Sequence, residues 1–403
     1  MRISVIHPSE LGPAEVSAWQ DMQRRCTGPA GLRNPFLSPE FTQAVGRHRP
    51  DARVAVLTDG GSGGSRGTGG SVAGFFPFEK HKFGMGLPIG AGLTDCQGLV
   101  HVPGFEYDPR ELLRGSGLSG FAFDHLAAEQ QPFRPYLAAT APSPVIDLAD
   151  GWAAYQAKLK VRSASFLRSV ARKTRKLERE AGPVRLVTGS TDRAALRALM
   201  AWKSDQYRRT GRSDRFAHPW IVGLIEDLFE TRGDHFSGLF SVLYAGDATV
   251  AAHLGVRCGP MVAHWFPAYD TGYAQYSPGL IEHVRMVEAA ASIGVELIDL
   301  GKGAKRYKEE LKSSDIYVGE GAVTSRSPLG QLHRAHIAPA QWAVRTIRAH
   351  PRLYEPADQL LKRYGAAHAA MSRRVRRSSP GGPRGPGGPG GPLPPGGQLP
   401  GER

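Results

Sequence analysis

The sequence predicts an α/β protein of two similar lobes, each a mixed sheet flanked by helices, joined by a basic helical segment. Three observations support this. The stretch from Phe240 to Asp270 reads as three strands with tight turns between them, followed by an amphipathic helix and a short apolar strand. An earlier stretch, 53–126, repeats that order of elements loosely. Between the two, 150–183 is helical throughout and crowded with lysine and arginine. At 403 residues the chain is long enough for two cores of ordinary size.

In chain order, "RVAVL" (53–57) and "VAGFFPF" (72–78) read as strands enclosing the Gly-rich 58–71. That segment lacks the G-x-x-x-x-G-K-[ST] spacing of a phosphate loop, so it is a hairpin loop and a nucleotide triphosphatase is excluded. A short helix near Pro109–Leu113 and the strand "GFAFDHL" (120–126) follow. In 150–183 a break is expected near Ser163, with Phe166, Val170, Thr174 and Leu177 as the inward stripe and Gly182-Pro183 as the stop. The second lobe turns at Gly246-Asp247 and Gly259-Pro260. Its helix, 277–294, carries Leu280, Val284, Val287 and Ala291 as a buried stripe, with Gly294 at the C-terminal cap. "VELIDLG" (295–301) is then a short buried strand. The expected division is 1–148 and 184–325 for the lobes and 149–183 for the basic segment. A helical appendage at 326–371 and a disordered Gly/Pro-rich tail at 372–403 complete it.

The composition, 41% hydrophobic and 22% charged, is that of a globular protein, and no run reaches the length of a membrane span. No signal-peptide core opens the chain, so a cytoplasmic protein is the default. Cys26, Cys96 and Cys258 lack C-x-x-C spacing, and no histidine spacing suggests zinc, so no metal is expected. A net charge of +14 favours anionic partners. Nine basic residues fall between Lys158 and Glu180, opposed only by Glu178 and Glu180. Such density suits a phosphate-rich ligand as well as a solvated helix face.

The candidate site centres on "YSPGLIEHV" (276–284). The first amides of a helix have no partner inside it, and the helix dipole favours an anion there. Ser277 is a suitable N-cap and Pro278 a suitable first helical residue, while Gly279 allows close approach to the backbone. Downstream, "DLGKGAKRYKEELK" (299–312) delivers Lys302, Lys305, Lys308 and Lys312. Asp299 interrupts an apolar run, as either a structural or a catalytic acid. His253 and His264 lie on adjacent strands, where one could act as a general base. No G-x-S-x-G and no supported cysteine point to a covalent intermediate.

Taken together, "HWFPAYD", "YSPGLIEHV", "GVELIDLGKGAKRYKEEL" and the basic helix resemble GNAT-superfamily acetyltransferases of the CelD type, associated with bacterial cellulose and exopolysaccharide biosynthesis. That family is similar in architecture to Fem-type aminoacyltransferases, with two GNAT-like lobes and a basic helical element. The resemblance covers 150–325, and 1–150 more loosely. It implies direct transfer of an acyl group from acetyl-CoA or another acyl-CoA to a sugar or cell-envelope precursor. Tyr276, Ser277, Gly279, Leu280 and Lys302 would hold the donor, and His253, His264, Asp299 and Lys308 would serve the chemistry. The GNAT signature R/Q-x-x-G-x-G/A is not matched, since "QYSPGL" supplies only Gln275 and Gly279. That departure leaves room for an aminoacyl-tRNA donor bound through Arg172, Lys173, Arg175 and Lys176. Peripheral association with a polysaccharide-synthesis complex is a further expectation.

Overall fold

Five strands of the N-terminal half form a twisted antiparallel array because their apolar residues face cores on both sides. They are β1 (Arg2–Ile6), β2 (Ala52–Thr58), β3 (Val72–Lys80), β4 (Met85–Pro88) and β5 (Val100–His101). Helices α1 (Pro13–Arg25) and α2 (Pro39–His48) cover one face, with Trp19 stacked on Phe75 at 4.6 Å. Helix α3 (Pro109–Gly115) lies on the other face and leads to β6 (Gly120–Ala127) and β7 (Leu137–Asp147). The computed structural model describes residues 1–26, 30–59, 71–303 and 305–335. The hairpin loop at 60–70, most of the expected appendage and the tail lie outside the described residues.

The basic segment forms α4 (Gly151–Arg162) and α5 (Ala164–Ala181), broken at Ser163 as its sequence predicts. Val170 and Leu177 are buried, while Arg172, Arg175, Lys176 and Arg179 are exposed. The C-terminal half continues with β8 (Val184–Thr188), α6 (Arg193–Arg209) and α7 (Pro219–Glu230). Strands β9 (Phe236–Ala245), β10 (Ala248–Cys258) and β11 (Met261–Tyr269) form the expected meander. Helix α8 (Pro278–Ser292), β12 (Leu297–Asp299), α9 (Arg306–Leu311) and β13 (Ser314–Thr324) follow. Gly294 takes φ 79° just past the end of α8, the left-handed conformation expected there.

Strand order is β1-β2-β3-β4-β6-β13-β7-β12-β11-β10-β9-β8, one continuous sheet through both halves. The halves exchange strands: β7 pairs with β12, and β13 pairs with both β6 and β7. A division at 148 and 184 describes the order of the chain, whereas the sheet joins the two halves through β7 and β13. Helix α8 buries more than one stripe, because it lies between the sheet and the α4–α5 pair. Ile281, Met286, Val287 and Ala290 are its fully buried apolar residues, while Leu280, Val284 and Ala291 are only partly covered. Among the described residues no helix is long and apolar enough to cross a membrane.

Candidate functional site

Strands β11 and β12 run parallel, but their pairing ends at Ala263 opposite Asp299. At that point β11 carries an extra residue: Leu254 faces Phe266 whereas Val256 faces Ala263. Such a bulge bends a strand and re-aims its peptide groups. Beyond Ala263 the β12-side edge of β11 has no strand partner among the described residues, and the gap opens into a cavity of about 360 Å³. Helix α6 supplies Trp202, Lys203, Gln206 and Arg209, and β11 supplies Pro267, Ala268 and Tyr269. Helix α8 adds Ser277, Gly279, Leu280, Glu282 and His283, while Lys305 and Tyr307 come from the segment after β12.

The turn into α8 differs from the expected cap. Ser277 adopts φ 51° and ψ 55°, and its side chain does not cap the helix. Its carbonyl receives the amides of Leu280 and Ile281, at 2.9 and 3.4 Å, which tightens the first turn and leaves the Gly279 N–H. The Ser277 hydroxyl instead accepts from Lys173 Nζ of α5 at 2.5 Å. Tyr276 is buried, donates to Glu180 at 2.7 Å and carries the Lys176 ammonium 5.5 Å above its ring. The basic helix therefore sits directly on the turn. A left-handed non-glycine residue stores strain of about 1–3 kcal/mol, and such strain gathers at functional sites.

His253, His264 and His283 form a buried column under the cavity. Rings of His253 and His264 stack at 4.0 Å, and His264 meets His283 edge-on at 4.7 Å. Burial holds both His253 and His264 well below the ordinary histidine pKa, with neighbouring positive groups adding to the effect. Both therefore stay neutral near pH 7. Among the described residues, neither ring nitrogen of His253, nor His264 Nε2, has a hydrogen-bond partner. Only His283 lines the cavity, with Tyr307 4.7 Å from its ring. Its Nδ1 lies 2.8 Å from Glu282 Oε2. With Nδ1–H donating to that oxygen, the lone pair of the neutral imidazole lies on Nε2. The fold also brings ligand atoms of His264, Glu282 and His283 within 4.8 Å of one another, a grouping no sequence spacing announced.

The remaining expected residues scatter. Asp299 is 1% exposed and accepts from Asn34 Nδ2 (2.9 Å), Ser143 Oγ (2.7 Å) and the Gly301 amide (2.9 Å). It ties the two halves together and does not line the cavity. Lys308 is buried, donates to the Gly301 and Lys302 carbonyls, and burial lowers its pKa to about 8. Lys302 reaches the Asp124 carbonyl at 2.8 Å and does not line the cavity beside the turn into α8. Sequence reasoning missed Lys203, Glu282, His283 and Tyr307. Lys203 donates to the Pro267 carbonyl at 3.0 Å, and burial together with Lys305, Arg212, Arg215 and Lys308 lowers its pKa to about 7. Burial pushes the Tyr307 phenol up, so it stays protonated. The signal for Glu282 and His283 was two polar residues inside a helix with apolar neighbours on both sides.

An open β-strand edge beside a helix entry, with acid–base groups between them, is a geometry that suits group transfer from a bound donor. Residues 164–309 match the family model described as acetyltransferase (GNAT) domain. No curated protein matches the chain. Among solved structures, FemX superposes with a TM-score of 0.53 at 11% identity, over 82% of this chain and 99% of that one. Both chains thus share the fold. A tandem GNAT protein from the clavulanic acid biosynthesis pathway gives 0.42 at 12% identity, over 80% and 98%. The C-terminal domain of a putative lysylphosphatidylglycerol synthetase from Agrobacterium fabrum gives 0.44 at 11%, over 80% and 95%.

Proposed function

We propose that the protein moves an acyl group from a phosphorylated donor, an acyl-CoA, to an amine or hydroxyl of a sugar or cell-envelope precursor, in line with the CelD-type resemblance. The observation that carries this reading is the Glu282–His283 dyad at the open edge of β11 beside the α8 entry. Donor phosphates sit at the Gly279 amide, with Lys173 and Arg209 as cations at the cavity mouth. The acyl chain lies along the unpaired edge of β11, whose peptide N–H groups face the developing oxyanion. His283 Nε2 removes the proton from the attacking amine or hydroxyl. The new bond forms at the acyl carbon, the C–S bond breaks, and Tyr307 protonates the departing thiolate. Neutral His264 and His253 back the dyad from below, and Lys308 keeps the loop after β12 in place.

Titration calorimetry with CoA and acetyl-CoA tests the donor; no heat from either at high micromolar concentration ends the acyl-CoA reading. His283→Gln is expected to lower kcat by about 10²-fold with little change in donor KM, the usual weight of one general base. Full activity in that variant assigns the base elsewhere. The exposed face of α5 favours a second reading, an aminoacyl-tRNA donor as in Fem-type enzymes. It requires tRNA binding that weakens steeply with salt and disappears when Arg172, Lys173, Arg175 and Lys176 become Glu.

A further inference from the structure

A second cavity, of about 660 Å³, lies on the other side of β11, between the two halves. It shares elements with the first. On β11, Trp265 and Phe266 line it while the next residues, Pro267 and Ala268, line the donor cavity. On α6, Tyr207 faces it while Gln206 faces the donor side. The two cavities therefore adjoin at the bulged part of β11.

The walls carry opposite charges. Asp95 and Asp124 come from the N-terminal half, Arg212 and Arg215 from the segment after α6, and Trp220, Trp265 and Phe266 form an aromatic floor. Trp265 is fixed by its indole N–H on the Leu93 carbonyl at 2.9 Å. Asp124 is satisfied by Gln97 Nε2 at 2.7 Å and lies 3.0 Å from His125 Nδ1. Asp95 lies 3.7 Å from His125 Nε2, feels the charges of Lys308 and Arg215 as well, and rests on Gly301, where a Cβ would come within 2.8 Å of its Oδ2. Neither Arg212 nor Arg215 makes an ion pair among the described residues. A carboxylate and two guanidinium groups thus line one cleft together with aromatic rings, and the Arg215 charge already attracts Asp95. Arg212 is exposed and Asp95 and Arg215 are half-buried, so all three charges are within reach of a ligand entering the cleft. A ligand bearing both charges supplies the partners.

We propose that this cleft is the acceptor site and selects a bipolar ring compound, an amino sugar with an anionic substituent. The substituent pairs with Arg212 and Arg215, the amino group lies toward Asp95, and the ring rests on the tryptophans. This deepens the acyl-transfer reading and rests on it for the chemistry, but not for the binding. The test is calorimetry of the full chain with glucosamine 6-phosphate, muramic acid, glucosamine and glucose 6-phosphate. One or both of the first two are expected to bind, telling phosphate from carboxylate, and each single-charge sugar should bind at least about tenfold more weakly. Asp95→Asn should remove the preference for the amine alone, and Arg215→Gln the preference for the anion alone, with thermal melts confirming folding. Equal binding of all four sugars, or of none, overturns the proposal whatever CoA does. Sugar binding without CoA binding leaves the acceptor site standing and fails the acyl-CoA reading.

Discussion

Asp299→Asn separates a structural acid from a catalytic one. The carboxylate is buried and takes three hydrogen bonds, from Asn34, Ser143 and the Gly301 amide. An amide of the same shape cannot replace it. With its nitrogen at the Oδ2 position it points a donor at Asn34 Nδ2. Turned over, it points a donor at the Gly301 N–H. Asn34 cannot rotate to help, because its own Oδ1 holds the Phe36 amide at 3.1 Å. One charge-assisted hydrogen bond, worth about 1.5–3 kcal/mol, is lost, and one buried donor is stranded at about 1–3 kcal/mol. Relief of the buried charge offsets part of this, leaving a loss of about 2–4 kcal/mol, a large share of a typical stability. Urea denaturation should show a lower midpoint at unchanged slope, with CoA affinity intact in the folded fraction. A variant within about 0.5 kcal/mol of wild type whose turnover falls a thousandfold would refute the structural reasoning and return Asp299 to the chemistry.

Two further perturbations address the donor cavity. Lys203 has a folded pKa of about 7 against about 10.4 for an unfolded lysine, so the unfolded chain holds more protons between those values. Stability should therefore rise with pH across that window, by up to about 1.4 kcal/mol per unit, and Lys203→Met should flatten the rise when denaturation is followed at pH 6.5, 8 and 9.5. Ser277→Gly relieves the strain at φ 51° but removes the oxygen that holds Lys173. A Tm equal to or slightly above wild type together with a several-fold higher donor KM is the expected pair of results; an unchanged KM detaches Lys173 from donor binding.

Elements whose signals are local were legible. The meander, the break at Ser163, the left-handed Gly294 and the stripe of α5 follow from turn residues and periodicity read over a few positions. What joins the halves was not legible: nothing near 137–147 or 314–324 says that these strands pair with each other across some 170 residues. The site divides the same way. "SPGL" pointed to the helix entry, because proline and glycine constrain the backbone where they stand. His283 was missed because α8 is covered on two sides, so its polar residues cannot be told from a solvent face by periodicity. Asp299 drew attention as an acid in an apolar run, yet its partners Asn34 and Ser143 lie 265 and 156 residues away in sequence.

The departure from the usual GNAT signature has a physical counterpart in the turn itself. Pro278 has no amide hydrogen, and Ser277 draws the Leu280 and Ile281 amides back onto its own carbonyl. A pyrophosphate at this helix start meets one backbone donor instead of several. On the proposed reading the missing positive field comes from the side, since Lys173 is bonded to Ser277 and Lys176 covers Tyr276. Ammonium groups recognise charge without the directional fit of a ring of amides. A donor turn built in this way should therefore depend more steeply on salt than one built from backbone N–H groups. Replacing Lys173 with Met should cost more donor affinity at low ionic strength than at high. An equal loss at both would mean that the backbone, not α5, carries the anion.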